Sequence, residues 1–316
     1  MRVAFAQIAP VLLDREQTLG RVVEQIHVAA DQSARLVAFG EALVPGYPFW
    51  VERTDGARFE SLLQKRWHAA YQKQAVSIEA GDLDTVCEAA RDRQIAVYLG
   101  IMERPTSRGG HSLYATLVYI APSGEIQSTH RKLMPTYEER LVWATGDGHG
   151  LRVHQLDDFV VGGLNCWENW MPLPRAALYA QGETLHVAVW PGNLHNTIDI
   201  TRFIAKESRS YVLSVSGLMR PQDLPASIDD DLTLDTANTW ANGGSCLAGP
   251  DGQWVIEPVI DDACVRVADI DAEFVRRERH NFDPSGHYSR PDVTSLRVNR
   301  DRQTVAQFVD SPEDDQ

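Results

Sequence analysis

The segment Phe159-Val160-Val161-Gly162-Gly163-Leu164-Asn165-Cys166-Trp167-Glu168-Asn169-Trp170-Met171-Pro172-Leu173 decides how this chain is read. It begins as a β-rich apolar run, passes two glycines and a cysteine, and reaches Pro172 and Pro174. Those prolines suit the first turn of a helix, so Cys166 is predicted on a sharp strand-to-helix turn. There the sulfur would face the positive end of a helix dipole, which lowers a thiol pKa and populates the thiolate. A lone cysteine in an apolar run also fits an inert core role. The rest of the chain has to decide between the two.

Outward from that turn, strand and helix patterns alternate. Upstream, Arg2 to Ile8 reads as a strand and Arg15 to Gln32 as a helix, with Leu19, Val22, Val23, Ile26 and Ala30 at helical spacing and Asp14 as N-cap. Leu36 to Phe39 is a short buried strand that ends at Gly40-Glu41. Helical segments follow at 59–78 and 82–93, then a strand at 95–101. A hairpin pairs 113–120 with 125–131 around Ala121-Pro122-Ser123-Gly124. Downstream, 174–181 and 197–210 read as helices, and 185–190 and 211–216 as strands. From Ser245 hairpins take over, at 245–248, 254–258 and 263–270. The pattern predicts one mixed α/β domain over residues 1–295, with helices covering sheets that also contain antiparallel hairpins. Residues 296–316 read as a C-terminal tail, acidic from Asp310 to Gln316.

The 316 residues carry a formal net charge of −14, which argues against nucleic acid or an anionic membrane as partner. The run from Met1 to Ile8 is too short for a signal peptide, and no stretch approaches the roughly 20 apolar residues of a membrane helix. Cys87, Cys166, Cys246 and Cys264 are far apart, with no CxxC pair and no ligand-like spacing to histidine. A disulfide framework, a zinc site or another metal site is therefore not expected. The expectation is a cytoplasmic protein with reduced thiols.

Two further residues stand where a strand runs into a loop. Glu41 follows the buried strand 36–39, where partial desolvation would raise its pKa toward the range of a general base. Lys132 follows the strand that ends Thr129-His130-Arg131, where its ammonium would stabilise charge developing on a reacting nitrogen or oxygen. Glu139 is placed to pair with that lysine. Each also fits a plain role, as a solvated strand end, an edge-guarding lysine or an exposed acid on a first helical turn.

In order along the chain stand Phe39-Gly40-Glu41-Ala42-Leu43-Val44-Pro45-Gly46-Tyr47-Pro48, His130-Arg131-Lys132-Leu133-Met134-Pro135-Thr136 and Gly163-Leu164-Asn165-Cys166-Trp167-Glu168-Asn169. With Gly286-His287-Tyr288-Ser289-Arg290-Pro291-Asp292-Val293, these segments resemble the nitrilase branch of the carbon–nitrogen hydrolase superfamily. The similarity runs from Met1 to about Val293. It implies a four-layer α-β-β-α sandwich and a Glu–Lys–Cys triad, with Cys166 as nucleophile, Glu41 as general base, Lys132 as charge stabiliser and Glu139 as a second glutamate beside the lysine. The implied reaction turns a small-molecule nitrile into its carboxylic acid and ammonia through a thioimidate and a thioester, with no cofactor. Amidase-type hydrolysis of a small amide is the alternative. Trp167 directly after the nucleophile favours the nitrilase reading.

Trp167, through its backbone N–H, and Tyr47 are expected around the reacting carbon, and Trp190 is expected as a pocket wall. His195 and Asn196 are candidate polar contacts. Trp50, Trp143 and Trp170 also lie near the motif segments, and aromatic walls would suit an apolar aryl or aliphatic nitrile. The resemblance further implies a homodimer or larger homo-oligomer.

Overall fold

The computed structural model describes residues 1–54, 56–225, 227–228, 232, 237–306 and 309. In chain order its elements are β1 (Arg2–Gln7), α1 (Arg15–Asp31), β2 (Leu36–Phe39), α2 (Trp50–Arg53), α3 (Leu62–Lys73), α4 (Asp84–Arg93), β3 (Ala96–Glu103), β4 (Tyr114–Ile120) and β5 (Ile126–Arg131). There follow β6 (His154–Leu156), β7 (Phe159–Asn165), α5 (Pro172–Tyr179), β8 (Leu185–Trp190), α6 (Leu194–Thr197), α7 (Ile200–Ser208), β9 (Tyr211–Ser216) and β10 (Leu218–Met219). The last are β11 (Ala241–Ala248), β12 (Trp254–Ile260), β13 (Cys264–Asp269) and α8 (Ala272–Glu278).

Strand alternation builds two sheets that share one core. The first has the order β13-β1-β2-β3-β4-β5. The second has the order β10-β11-β9-β8-β7-β6, with β12 also paired to β11. In β1 and β2, Val3, Phe5, Leu36 and Ala38 face inward and meet Val161, Val187, Leu213 and Val215 of the second sheet. Their neighbours Ala4, Ala6, Val37 and Phe39 point outward, onto Val22, Ile26 and Ala29 of α1 and Val86 and Ala90 of α4. This period of two lets one strand serve two layers. On the other side Ala188, Trp190 and Val212 pack against Tyr179 of α5 and Ile200, Ile204 and Ala205 of α7. The result is the four-layer α-β-β-α sandwich.

Local chemistry sets the element ends. The Asp14 carboxylate accepts the Gln17 N–H at 2.9 Å and caps α1. Pro172 opens α5, two residues earlier than the sequence pattern suggested, because its missing N–H costs nothing in a first turn. The helix expected at 197–210 is observed as α7, Ile200–Ser208, and the short α6 ends just before it at Thr197. The tail is not free at its start. Arg302 reaches the Asp147 carboxylate at 3.0 Å and the Thr129 hydroxyl at 2.7 Å. The acidic end at 310–316 lies outside the described residues.

Strands β1, β2 and β3 run parallel, as do β7, β8 and β9. In such sheets ligands bind outside the carboxyl ends of the strands. Glu41, Lys132 and Cys166 follow the carboxyl ends of β2, β5 and β7. Among the described residues, no helix is long and apolar enough to cross a membrane.

Candidate active site

Cys166 stands at the end of β7 with φ of +49°, a left-handed conformation that a non-glycine residue adopts only under constraint. The constraint is visible. The Asn169 side-chain amide donates to the Cys166 carbonyl at 2.8 Å, and His186 Nε2 lies 2.7 Å from Asn169 Oδ1. Behind it, His186 Nδ1 meets Glu183 at 2.9 Å, and Arg175 donates to the Asn169 carbonyl at 2.7 Å. Residues 166–170 form a 3₁₀ turn before α5 begins at Pro172. The sharp strand-to-helix turn read from the sequence is therefore present.

The expected low thiol pKa is not. Cys166 does not sit on the first turn of α5, and it is buried. Burial together with the nearby Glu41 pushes the thiol well above its ordinary value, against the pull of Lys132 and the Trp167 N–H. The resting sulfur is a thiol that requires a base.

Glu41 follows Gly40 at the end of β2, and its N–H donates across to the Trp190 carbonyl of the other sheet at 3.1 Å. Gly100 on β3 permits this path, since a Cβ there would collide with the Gly40 carbonyl oxygen. The Glu41 carboxyl is buried and lies 2.9 Å from Lys132 Nζ. Burial raises its pKa from 4.5 to about 8, and Glu139 adds to the rise while Lys132 opposes it.

Lys132 is anchored by its N–H to the Ala115 carbonyl at 2.8 Å. Its ammonium bonds Glu139 at 2.6 Å and lies 5.6 Å from the centre of the Trp143 ring. Burial alone would lower its pKa, but Cys166, Glu41 and Glu139 together hold it well above the ordinary lysine value. Glu139 also accepts the Tyr47 hydroxyl and the Thr136 N–H, each at 2.6 Å. Thr136 and Glu139 form a capping box, which fixes the glutamate by local chain geometry. Ligand atoms of Glu41, Glu139 and Cys166 all lie within 4.8 Å of one another, and the Lys132 ammonium touches two of the three. A thiol, a proton acceptor and a fixed cation thus meet at one point, the set that nucleophilic acyl chemistry needs.

This point opens to a cavity of about 450 Å³ whose lining includes Cys166, Glu139, Tyr47 and Trp167. His195 and Asn196 also line it, and the Asn196 side-chain amide donates to the Gly192 carbonyl, tying down the loop. Trp190 does not. It is fully buried under α7, because its place at the end of β8 turns its ring onto the helix layer, and only its backbone carbonyl serves Glu41. Trp50 stacks on Trp67 in the core, and Trp170 stacks on Trp167 at the surface. Tyr47 lines the cavity but spends its hydroxyl on Glu139. Sequence reading missed Phe49 and Trp240, whose rings lie 6.1 Å apart in the lining, and the charged Glu52, Arg53 and Glu138 beside them. No local signal marks those positions. Glu168 and Asn169, which hold the cysteine turn, were quoted without a role, although Asn165-x-x-Glu168 carries the capping-box pattern. The segment 286–293 is exposed and is not part of the lining.

The carbon–nitrogen hydrolase family model matches residues 2–279. The chain is 36% identical over 313 residues to a "Nitrilase 2" from an unknown prokaryotic organism, covering 98% of this chain and 96% of that one. It is 33% identical to an aliphatic nitrilase of Rhodococcus rhodochrous, covering 98% and 82%. In fold it resembles a carbon–nitrogen hydrolase of Helicobacter pylori, with TM-score 0.70, 16% identity and 92% and 96% coverage. It also resembles an amidase of Nesterenkonia, with TM-score 0.63, 19% identity and 89% and 97% coverage. The chain belongs to the nitrilase branch of the carbon–nitrogen hydrolase superfamily.

Proposed function

We propose that this chain is a nitrilase, converting an organic nitrile to its carboxylic acid and ammonia. The observation that carries the reading is the convergence of the Cys166 thiol, the Glu41 carboxyl and the Lys132 ammonium, with Cys166 lining the cavity and Glu41 and Lys132 buried behind it. The relatives named nitrilases at above 30% identity support the nitrile over the amide.

Glu41 takes the thiol proton as sulfur attacks the nitrile carbon. In its ionised form, a carboxyl whose pKa is raised to about 8 is a strong enough base to serve a buried thiol. The proton passes to the nitrogen, which gives a thioimidate. Lys132 and the Trp167 N–H stabilise the charge that builds as the carbon rehybridises. Glu41 then activates water, whose oxygen adds to the thioimidate carbon; a proton passes to the nitrogen, the C–N bond breaks to release ammonia, and a thioester remains. A second water cleaves the C–S bond, releases the acid and restores the thiol. Glu139 keeps Lys132 charged and in place through the bond at 2.6 Å.

The cavity mixes Phe49, Trp167 and Trp240 with Arg53, Glu138, His195 and Asn196. That lining supports a compact nitrile bearing a polar group over the purely apolar one expected from tryptophan content. Exposed Trp170, Leu173 and Phe203 on or beside α5 and α7 support a homo-oligomer built through that helix layer. The four free thiols fit the cytoplasm.

The test is ammonia release from a panel of polar aliphatic, apolar aliphatic and aromatic nitriles, with the matching amides beside them. Ammonia and acid from nitriles are expected. Turnover confined to amides would move the chain to the amidase reading.

A further inference from the structure

Glu168 is a buried carboxylate beside the site and is not part of the cavity lining. One oxygen accepts the Leu133 N–H at 2.6 Å, and the other accepts the Asn165 N–H at 2.9 Å. His130 Nε2 lies 3.2 and 3.0 Å from the same two oxygens. Leu133 directly follows Lys132, and Asn165 directly precedes Cys166. One side chain therefore joins the peptide after the cation to the peptide before the nucleophile. The two belong to different sheets, since Lys132 follows β5 and Cys166 follows β7. No strand pairing sets the distance between them.

We propose that Glu168 is a positioning residue that sets the Lys132-to-Cys166 distance by bridging the Leu133 and Asn165 N–H groups, with His130 holding the bridge from β5. The inference rests on the proposed nitrile hydrolysis for its kinetic readout only. The geometry suits no other carboxylate length. Aspartate, one methylene shorter, can still cap the local turn at Asn165 but cannot also reach Leu133. Glutamine has one acceptor and one donor for two N–H donors, so it satisfies one side and opposes the other.

Glu168 also carries charge. Burial would raise its pKa, but His130 and the two N–H groups hold it below the usual carboxylate value. Around Glu41 stand Lys132, Glu139, Cys166, Tyr47 and Tyr71, and after burial, Lys132 and Glu139 the more distant charge of Glu168 adds to the raised Glu41 pKa.

The experiment compares wild type with Glu168→Asp and Glu168→Gln, each checked for native oligomer size and near-UV circular dichroism. Two readouts are taken: nitrile turnover, and Cys166 alkylation by iodoacetamide against pH, which needs no substrate. In both variants kcat is expected to fall about 100-fold with KM within a few-fold, as for a reacting group displaced by about 1 Å. The acidic limb of the alkylation profile should shift in Glu168→Asp as well as in Glu168→Gln, because the shortened bridge moves Lys132 relative to the sulfur although the charge is kept. A profile unchanged in Glu168→Asp overturns the bridge. Folded Glu168→Asp with kcat within three-fold of wild type overturns the proposal. So does loss of the native fold in both variants, which would make Glu168 a stability residue. If wild type itself turns over no nitrile, the functional reading fails, and the alkylation profiles still decide the bridge.

Discussion

Replacing Glu41 with glutamine should stabilise the protein, and by an amount that grows with pH. The Glu41 carboxyl is fully enclosed, with one cation at 2.9 Å, and its pKa rises from 4.5 to about 8. The folded chain therefore holds a proton that the unfolded chain releases between those two values. Stability from this site is fully present below pH 4.5 and is lost as pH rises through 8. At ~1.4 kcal/mol per pH unit, the loss across that window is about 5 kcal/mol. Glutamine keeps the shape and does not titrate. Relative to wild type, Glu41→Gln should gain little at pH 5 and several kcal/mol at pH 9. At about 2 °C per kcal/mol for a chain of this size, the gap in Tm should widen by up to roughly 10 °C. Thermal scans of both proteins at fixed concentration from pH 5 to 9 measure it, and nitrile turnover in the variant should be nearly abolished. A gap that stays constant or narrows with pH would refute the argument that burial outweighs Lys132 at this carboxyl.

Four further outcomes follow from the geometry. Cys166→Ala should keep the fold and lose all turnover, and substantial activity in it would sink the proposed mechanism. Alkylation of wild-type Cys166 should accelerate with pH beyond 9, because burial and Glu41 hold the sulfur as a thiol; a rate already at its plateau at pH 7 would contradict that. Tyr47→Phe leaves one Glu139 oxygen buried without its 2.6 Å partner, and should cost about 1–3 kcal/mol in denaturant unfolding and lower kcat. Gly100→Ala drives a Cβ into the Gly40 carbonyl and should displace Glu41, reducing kcat well before it unfolds the chain; wild-type kinetics would count against that packing.

Much of this molecule is legible residue by residue. Period-two strands such as Arg2–Gln7 and Leu36–Phe39, the Asp14 cap and the Pro172 helix start are local, and local chemistry decides them. The Thr136–Glu139 capping box is local in the same way, whereas the Cys166 turn, legible from its glycines and prolines, is held in place by His186 and His130 from other strands. The motif order likewise named Glu41, Lys132 and Cys166 before any contact was known. What the sequence could not supply is whatever depends on groups far apart in the chain. The Cys166 thiol was expected to be acidic from its turn alone, yet burial and Glu41, 125 positions upstream, reverse the sign. Trp190 was expected in a cavity wall, yet the register of β8 points its ring onto α7. Trp240 and Phe49 line the cavity with no local mark, since separate loops bring them there. Glu168 bridges two sheets that no strand pair connects. Sequence determined which groups are candidates for the chemistry and the elements that hold them. Only the tertiary structure decided their charge states and separations, because burial and through-space electrostatics are properties of the packed chain.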